Sequence, residues 1–339
     1  MHRRFISTGA SAGRATATWF LLALVLWGLL LPETAFAEPD AATLIRLSTS
    51  VLKVEVMRTQ GGYSLGSGVV IGADRVVTNC HVTRDARLVS VLQGGLRLPA
   101  ESQQVDAYHD LCLLHVRGIE GSRAVALGSA GRLTVGQVVT AVGHTAGAFQ
   151  GSSGEVLALH RMDGARVIQT SNFFSSGASG GGLFDADFNL VGILTFRLRG
   201  GNAHYFAAPV EWLARPRIDN EPAQQIGPLA RGELAFWERL ADAQPTFLRA
   251  AALEVEGNWR GLQPLAADWT QLDAGDPEPW YLLGLALSRL EQPRDARIAL
   301  ECSLAIAPDY AAARSELQRL ALPHDSQPET HVAGNSCRH

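Results

Sequence analysis

The sequence predicts an all-β region followed by an all-α region, with an address segment in front. Three observations carry this expectation. Between about Val51 and Pro209, short apolar runs alternate with Gly-rich breaks, and no amphipathic helix intervenes. From about Pro228, Ala, Leu, Arg and Glu dominate, glycine thins out, and apolar residues recur at three- and four-residue intervals. Ahead of both, a basic start and an apolar run end in small residues.

The front segment holds Arg3, Arg4 and Arg14, a 13-residue apolar run from Trp19 to Leu31, Pro32, and Ala35-Phe36-Ala37. That is the layout of a secretory signal peptide, residues 1–37, cleaved after Ala37. The run is shorter than the roughly 20 residues a membrane span needs, so no stable membrane anchor is expected after cleavage. Arg3-Arg4 hints at twin-arginine export, but its flanks match that signal poorly. The 339 residues allow two domains at roughly 150 residues each. With 47% hydrophobic residues, 18% charged and 34 Gly, the chain is neither disordered nor collagen-like nor a coiled coil. Cleavage would leave 26 bases against 32 acids. A net negative chain gives no electrostatic footprint for nucleic acid. The expected product is an exported acidic protein, periplasmic or secreted.

Within the β region the runs are Val51–Met57, Ser64–Ile71, Val76–Thr78, Leu88–Leu92, Leu111–Val116, Val138–Val142, Glu155–Leu159, Val167–Thr170 and Leu190–Leu198. Many short strands at this spacing point to a sandwich or a pair of barrels. The weaker pattern from Gly118 to Gly136 fits a connection between two halves. The stretch 218–227, with Pro222 and two Gln, reads as a linker between a first domain, 38–217, and a helical domain, 228–322. Trp280, Leu283, Gly284, Leu287, Ala296, Leu300, Ser303 and Pro308 follow the offsets of a tetratricopeptide-like unit, in which small residues let helices approach closely. Thr246–Glu256 and Asn258–Leu272 form a degenerate earlier copy, and Pro228–Ala241 is expected to cap the array. A plain helical bundle is the alternative. The polar tail, 323–339, is expected to be disordered.

Three segments carry chemistry. Gly177-Ala178-Ser179-Gly180-Gly181-Gly182 is a tight loop in which a serine hydroxyl can stand exposed beside backbone N–H donors, with no side chain in the way. Gly177 and Ser179 supply the expected donor pair of an oxyanion hole that spans Gly177, Ala178 and Ser179. Gly151-Ser152-Ser153-Gly154 competes, but lacks the following glycine pair and reads as a turn. Val76–Val82 ends a strand with His81, a candidate general base for that serine. His109, His115, His144, His160 and His204 are other candidates. In the third segment, His109–Val116, strand alternation puts Asp110, Cys112, Leu114 and Val116 on one face. A carboxylate opening an apolar strand needs hydrogen bonds, and an N–H from His81 would supply one. Asp106 is the alternative acid, with neighbours that look like loop.

Taken together, in His–Asp–Ser order, these segments make residues 50–213 resemble the trypsin-like serine protease superfamily, especially its bacterial Deg-type branch. The matching stretches are Gly66–Ile71, Thr78–Val82, Asp110–Leu114, Val142-Gly143, Gln169-Thr170, Gly177–Leu183, Val191–Ile193 and Phe206–Pro209. The resemblance implies an all-β double antiparallel barrel of two six-stranded units with the site between them. It implies His81 as base, Asp110 as its orienter and Ser179 as nucleophile, hydrolysing peptide bonds through an acyl-enzyme. Ala178 stands where Asn or Asp is usual, Gly182 where Pro is common, and no PDZ-like segment follows. The family pattern builds the substrate pocket from Phe173 and Phe174 against Thr195, Phe196 and Arg197. No carboxylate falls at its base, so cleavage after Arg or Lys is not expected. The two phenylalanines either narrow that pocket or pack into the barrel core.

Cys80 adjoins His81, and Cys112 shares a face with Asp110. If the imidazole and carboxylate meet, the thiols are close too, so a Cys80–Cys112 disulfide is expected, with two small buried thiols as the alternative. The pairing of Cys302 and Cys337 is left open. No CxxC or Cys/His cluster suits zinc, and no cofactor is expected. Two functions stand. One is an exported serine endopeptidase acting on proteins or peptides, its helical repeats recruiting substrates or a protein partner. The other is a catalytically silent protease-like scaffold serving as an adaptor. An esterase using the same machinery is a weaker third.

Overall fold

The computed structural model describes residues 39–198, 204–213, 222–230, 232–321 and Cys337. The expected signal peptide and all of the expected tail except Cys337 therefore lie outside the described residues.

The chain opens with a short helix, α1 (Ala41–Leu47), capped by the Asp40 carboxylate, which accepts from Thr43 N–H at 2.8 Å. Seven strands then follow, β1 (Val51–Arg58), β2 (Tyr63–Val70), β3 (Arg75–Thr78), β4 (Ala86–Gln93), β5 (Leu96–Pro99), β6 (Ser102–Asp106) and β7 (Leu111–His115), of which the sequence signalled all but β5 and β6. In β1 the alternation works as read: Val54 and Val56 are buried while Lys53 and Glu55 sit half-buried between them. The second half is β8 (Val138–Thr145), β9 (Ala148–Met162), β10 (Ala165–Thr170), β11 (Gly182–Phe184), β12 (Leu190–Arg197) and β13 (Tyr205–Pro209). These six strands close into a barrel in the order β10-β13-β12-β11-β8-β9, all neighbours antiparallel.

The first half departs from the expected six-stranded barrel. It is an eight-stranded antiparallel sheet, β14-β6-β7-β3-β2-β1-β4-β5, whose edge strand β14 (Gln224–Gln225) comes from the expected linker. Gln224 pairs with Gln103, and Ile226 packs on the sheet's core. A short polar pair gives no strand signal of its own; the open edge of β6 supplies it. Two further corrections concern Ser, Gly and Asp. Gly151–Gly154 is no turn but the middle of the 15-residue β9. Its glycines admit neighbours: a Cβ at 154 would stand 2.7 Å from Asn172 N, and one at 151 would stand 2.9 Å from Leu44 Cδ2. Asp106 is the last residue of β6 rather than part of a loop.

Helices α3 (Thr246–Val255), α4 (Trp259–Leu272), α5 (Pro277–Arg289), α6 (Pro293–Ile306) and α7 (Ala311–Ala321) follow, each packed on the next. Their starts are legible as Asn258, which accepts from Gly261 N–H, and Asp276 followed by Pro277. Gly284 lets α5 and α6 touch, since a Cβ there would stand 2.6 Å from Leu300 Cγ. Cys302 pairs with Cys337, which resolves the open cysteine question, and Cys80 pairs with Cys112.

One apolar cluster runs through all parts. Val69, Val77 and Leu111 of the first sheet join Ile193, Phe196 and Phe206 of the barrel and Phe236, Phe247 and Leu262 beyond it. Each such side chain contributes about 1.5–3 kcal/mol on leaving water. A buried polar contact reinforces it: His160 Nδ1 of β9 lies 2.8 Å from the Glu278 carboxylate of α5, and its ring stacks on Phe247 at 4.3 Å. The helical region is thus fastened to the barrel rather than hung from it.

Peptide mapping without reductant should recover two linked pairs, Cys80–Cys112 and Cys302–Cys337. The first closes a 32-residue separation. By chain entropy its replacement with a pair of alanines should cost about 3–4 kcal/mol, read from denaturant unfolding.

Candidate active site

β3 ends at Thr78, Asn79 is extended, and a single helical turn, α2 (Cys80–Thr83), carries His81. The next stretch of chain to meet it is the turn before β7. Asn79 Nδ2 donates to Asp110 O at 2.9 Å, Cys80 N–H donates to the same carbonyl at 3.2 Å, and the Cys80–Cys112 bond closes the junction. Asp110 itself is wholly buried. It does not open the strand, as alternation implied, but occupies a left-handed turn at φ 59° one residue before it. That conformation is costly for most residues and tolerated by Asp. It turns the carboxylate out of the strand pattern and towards His81.

Three donors satisfy that carboxylate. His81 N–H reaches Oδ1 at 2.8 Å, His81 Nδ1 lies 2.6 Å from Oδ2, and Trp237 Nε1–H donates to Oδ2 at 3.3 Å. A buried charge with three such partners can stay ionised. Burial by itself would lower the pKa of His81, but the charge of Asp110 and its hydrogen bond outweigh burial and raise it above 6.5. With Nδ1 committed to the carboxylate, Nε2 is the nitrogen left to exchange a proton.

Ser67 of β2 reaches the serine loop across the cleft. Its N–H donates to Ser179 O at 2.8 Å and its hydroxyl to Gly177 O at 2.8 Å, while His144 N–H donates to that hydroxyl at 2.8 Å. Ser176 O accepts from Ala146 N–H, and Ala178 O accepts from Gly181 N–H. Since N–H and C=O point oppositely across a trans peptide, these bonds aim the N–H groups of Gly177 and Ser179 the other way. Among the described residues neither has an acceptor. Ala178 is a correction: its N–H is spent on Ser175 O at 3.0 Å, so it is no donor to the cradle.

The serine and the His–Asp pair share neighbours. Asn79 Nδ2 reaches Thr195 Oγ1 at 3.3 Å, and the Ser179 hydroxyl reaches Thr195 O at 3.5 Å. A Cβ at position 66 would touch both Val82 and Ser179 O. No hydrogen bond joins Ser179 to His81 among the described residues. The rival histidines have other work: His109 meets Asp106 at 2.6 Å and Asp163 at 3.0 Å with its two nitrogens, and His160 meets Glu278 and Gln169 with its own. His144 is pushed down to about 4, by burial first and by Lys53 second.

Residues 66–193 match the family model described as trypsin-like peptidase domain, a span that contains His81, Asp110 and Ser179. Over that span the β region is similar to trypsin-like peptidase domains. Over 187 residues the chain is 33% identical to the periplasmic serine endoprotease DegP of Escherichia coli K12, covering 51% of this chain and 38% of that protein. It is 34% identical over 187 residues to the periplasmic pH-dependent serine endoprotease DegQ of the same organism, covering 51% and 40%. The chain thus spans about two fifths of the length of these curated relatives. The Rv3671c protease of M. tuberculosis in its active form superposes with a TM-score of 0.50 at 22% identity, covering 59% of this chain and 92% of that one, and shares the fold.

The expected substrate pocket of the peptidase domain is only partly assembled. Phe174 is buried beside Ala178 and Leu194, with Tyr205 at 5.1 Å, so it joins the barrel core. Phe196 is stacked between Phe206 at 4.7 Å and Trp237 at 5.1 Å, and Thr195 is buried in the hydrogen bonds above. Phe173 remains 44% exposed, edge-on to Tyr205, and Arg197 is exposed at the end of β12. Ser67 and Asn79 lie inside two of the stretches that resemble the family, yet nothing in the sequence marked either as a clamp. Trp237 had no local signal at all.

Gly180 closes the loop at φ 84°, where a Cβ would stand 2.1 Å from Ser67 O and 2.4 Å from Thr78 Oγ1. Gly180→Ala should therefore collapse the cradle, and Ser67→Ala should loosen it while the protein stays folded. Labelling of Ser179 by a fluorophosphonate is the measurement. Gly180→Ala should abolish it, and Ser67→Ala, which removes a support of the cradle and not one of its donors, should slow it by less than the roughly 10²–10³-fold that loss of a donor costs.

Proposed function

We propose that this chain is an exported serine endopeptidase, with His81 as base, Asp110 as its orienter and Ser179 as nucleophile. The observation that carries the reading is the buried Asp110 carboxylate 2.6 Å from His81 Nδ1, set beside a loop whose Gly177 and Ser179 N–H groups lack acceptors. The likeness to DegP and DegQ supports a peptide substrate, and the layout of residues 1–37 supports export. The domain division follows the sequence reading, 38–217 and 228–322, with 224–225 drawn onto the first sheet.

In this mechanism the Ser179 hydroxyl leaves Thr195 O and turns to His81. Nε2 takes its proton as Oγ bonds the substrate carbonyl carbon, and the carbonyl π pair moves onto oxygen, where the two N–H groups hold the oxyanion. The oxyanion collapses, the C–N bond breaks, and the amine leaves with the proton from Nε2. Water then repeats the sequence on the acyl-enzyme and releases the acid. Asp110 stays ionised throughout, stabilising the imidazolium. Substrate recognition would use the exposed Phe173 side chain and the edge of β12. The helical region, with its tetratricopeptide-like offsets, would recruit protein substrates or a partner.

A fluorophosphonate should label the cleaved protein, and Ser179→Ala should abolish labelling without unfolding. A folded wild type that stays unlabelled would favour the adaptor reading. The rate should also depend on pH. Protonated His81 cannot accept the serine proton, so activity is lost as pH falls through the raised pKa. The acid limb of kcat/KM should lie above 6.5, and a profile flat from about pH 5 to 8 contradicts His81 as base.

A further inference from the structure

Trp237 is remote in sequence from every segment that carries chemistry, in the stretch expected to cap the helices. It does not face them alone. Its indole N–H donates to Asp110 Oδ2 at 3.3 Å, the same oxygen that His81 Nδ1 meets at 2.6 Å. Its ring stands edge-on to the His81 ring at 5.5 Å and stacks on Phe196 at 5.1 Å. We infer that Trp237 is a positioning residue for Asp110 and His81, so that the segment leading into the helices completes the site of the peptidase domain. The consequence for catalysis rests on the peptidase reading above; the geometry does not.

The segment is held in a way that suits this role. Phe236 is buried against Tyr108, Trp212 and Phe247, and its N–H donates to Tyr108 O at 2.9 Å, two residues before Asp110. Glu238 accepts from both terminal nitrogens of Arg84, just past the turn that carries His81. Gln244 donates to Trp237 O at 3.0 Å. The indole is therefore fixed from three sides, and its N–H has one acceptor.

A hydrogen bond to a buried carboxylate shares the charge that the carboxylate offers its other partner. Trp237 and His81 compete for one oxygen. Without the indole donor, Oδ2 belongs wholly to His81, which should hold its proton more tightly and be a base only at higher pH. The charged groups facing His81 are Asp110, Glu238 and Arg84, and none of these changes in the variants below.

The test uses the full chain after removal of residues 1–37. Two replacements of Trp237 are made: Trp237→Phe, and an isosteric analogue with sulfur in place of the indole nitrogen, which keeps the packing and lacks the donor. NMR follows the His81 ring and the Trp237 indole N–H from pH 5 to 9. The indole signal of the wild type should move with the same midpoint as His81. In both variants that midpoint should rise by about half a pH unit or more, roughly threefold in proton affinity. Fluorophosphonate labelling at pH 7 should fall severalfold and recover as pH is raised, a recovery that mere loosening of the fold does not give. An unchanged His81 midpoint in the sulfur analogue, or an indole signal flat across the titration, overturns the inference. Coupled titration in a wild type that never labels would keep it and sink the peptidase reading.

Discussion

A carboxylate out of reach of water is the constraint on which the site depends. Asp110 has no exposed surface, and an ionised group there is tolerable only if the chain surrounds it with donors. Removing one partner of such a buried arrangement costs about 3–5 kcal/mol. The fold meets this demand with parts from four places: the left-handed turn that aims the carboxylate, the helical turn of His81, the Cys80–Cys112 bond between them, and Trp237 from beyond the barrel. The imidazole orientation that chemistry requires is therefore also what stability requires.

The serine side of the cleft obeys a second rule, that every buried backbone group finds a partner. The carbonyls of Ser176 and Ala178 each accept a hydrogen bond, and each bond turns the following N–H, that of Gly177 or Ser179, the other way, while the Ala178 N–H is spent on Ser175 O. Among the described residues the N–H groups of Gly177 and Ser179 have no acceptor, and these two form the cradle. Ser67 joins the two sides, because a strand of the first sheet holds both the Gly177 carbonyl and Ser179 O. The cleft is shaped by contacts across it and not by either half alone.

What was legible in the sequence was whatever local periodicity or turn chemistry encodes. The valines of β1 and the runs of β3, β7 and β12 all sit where the pattern put them. His81, Asp110 and Ser179 stood out because strand ends and Gly-rich loops are where such groups can be presented. Illegible features have non-local causes. Gln224-Gln225 is a strand because β6 has an open edge. Gly151 and Gly154 lie within a strand because Leu44 and Asn172 need the space. Asp110 broke the alternation because its turn answers to His81, and Phe174 left the pocket because Tyr205 and Ala178 give it a dry site. No window around Trp237 could reveal a carboxylate 127 residues away.

These contacts also change what the helical region can be. A module tethered by a free linker could recruit a partner without touching the chemistry. Here the described chain between barrel and helices is spent on the β region, mostly its first sheet: Gln224 and Gln225 on β6, Leu229 against the Cys80–Cys112 bond, Phe236 in the shared core, Trp237 on Asp110. Beyond it, His160 and Glu278 lock β9 to α5 at 2.8 Å. A load on the helices therefore has two physical routes into the cleft, one through the barrel wall and one through the indole that touches the carboxylate. A cut made ahead of residue 237 would take away the indole N–H that donates to the Asp110 carboxylate.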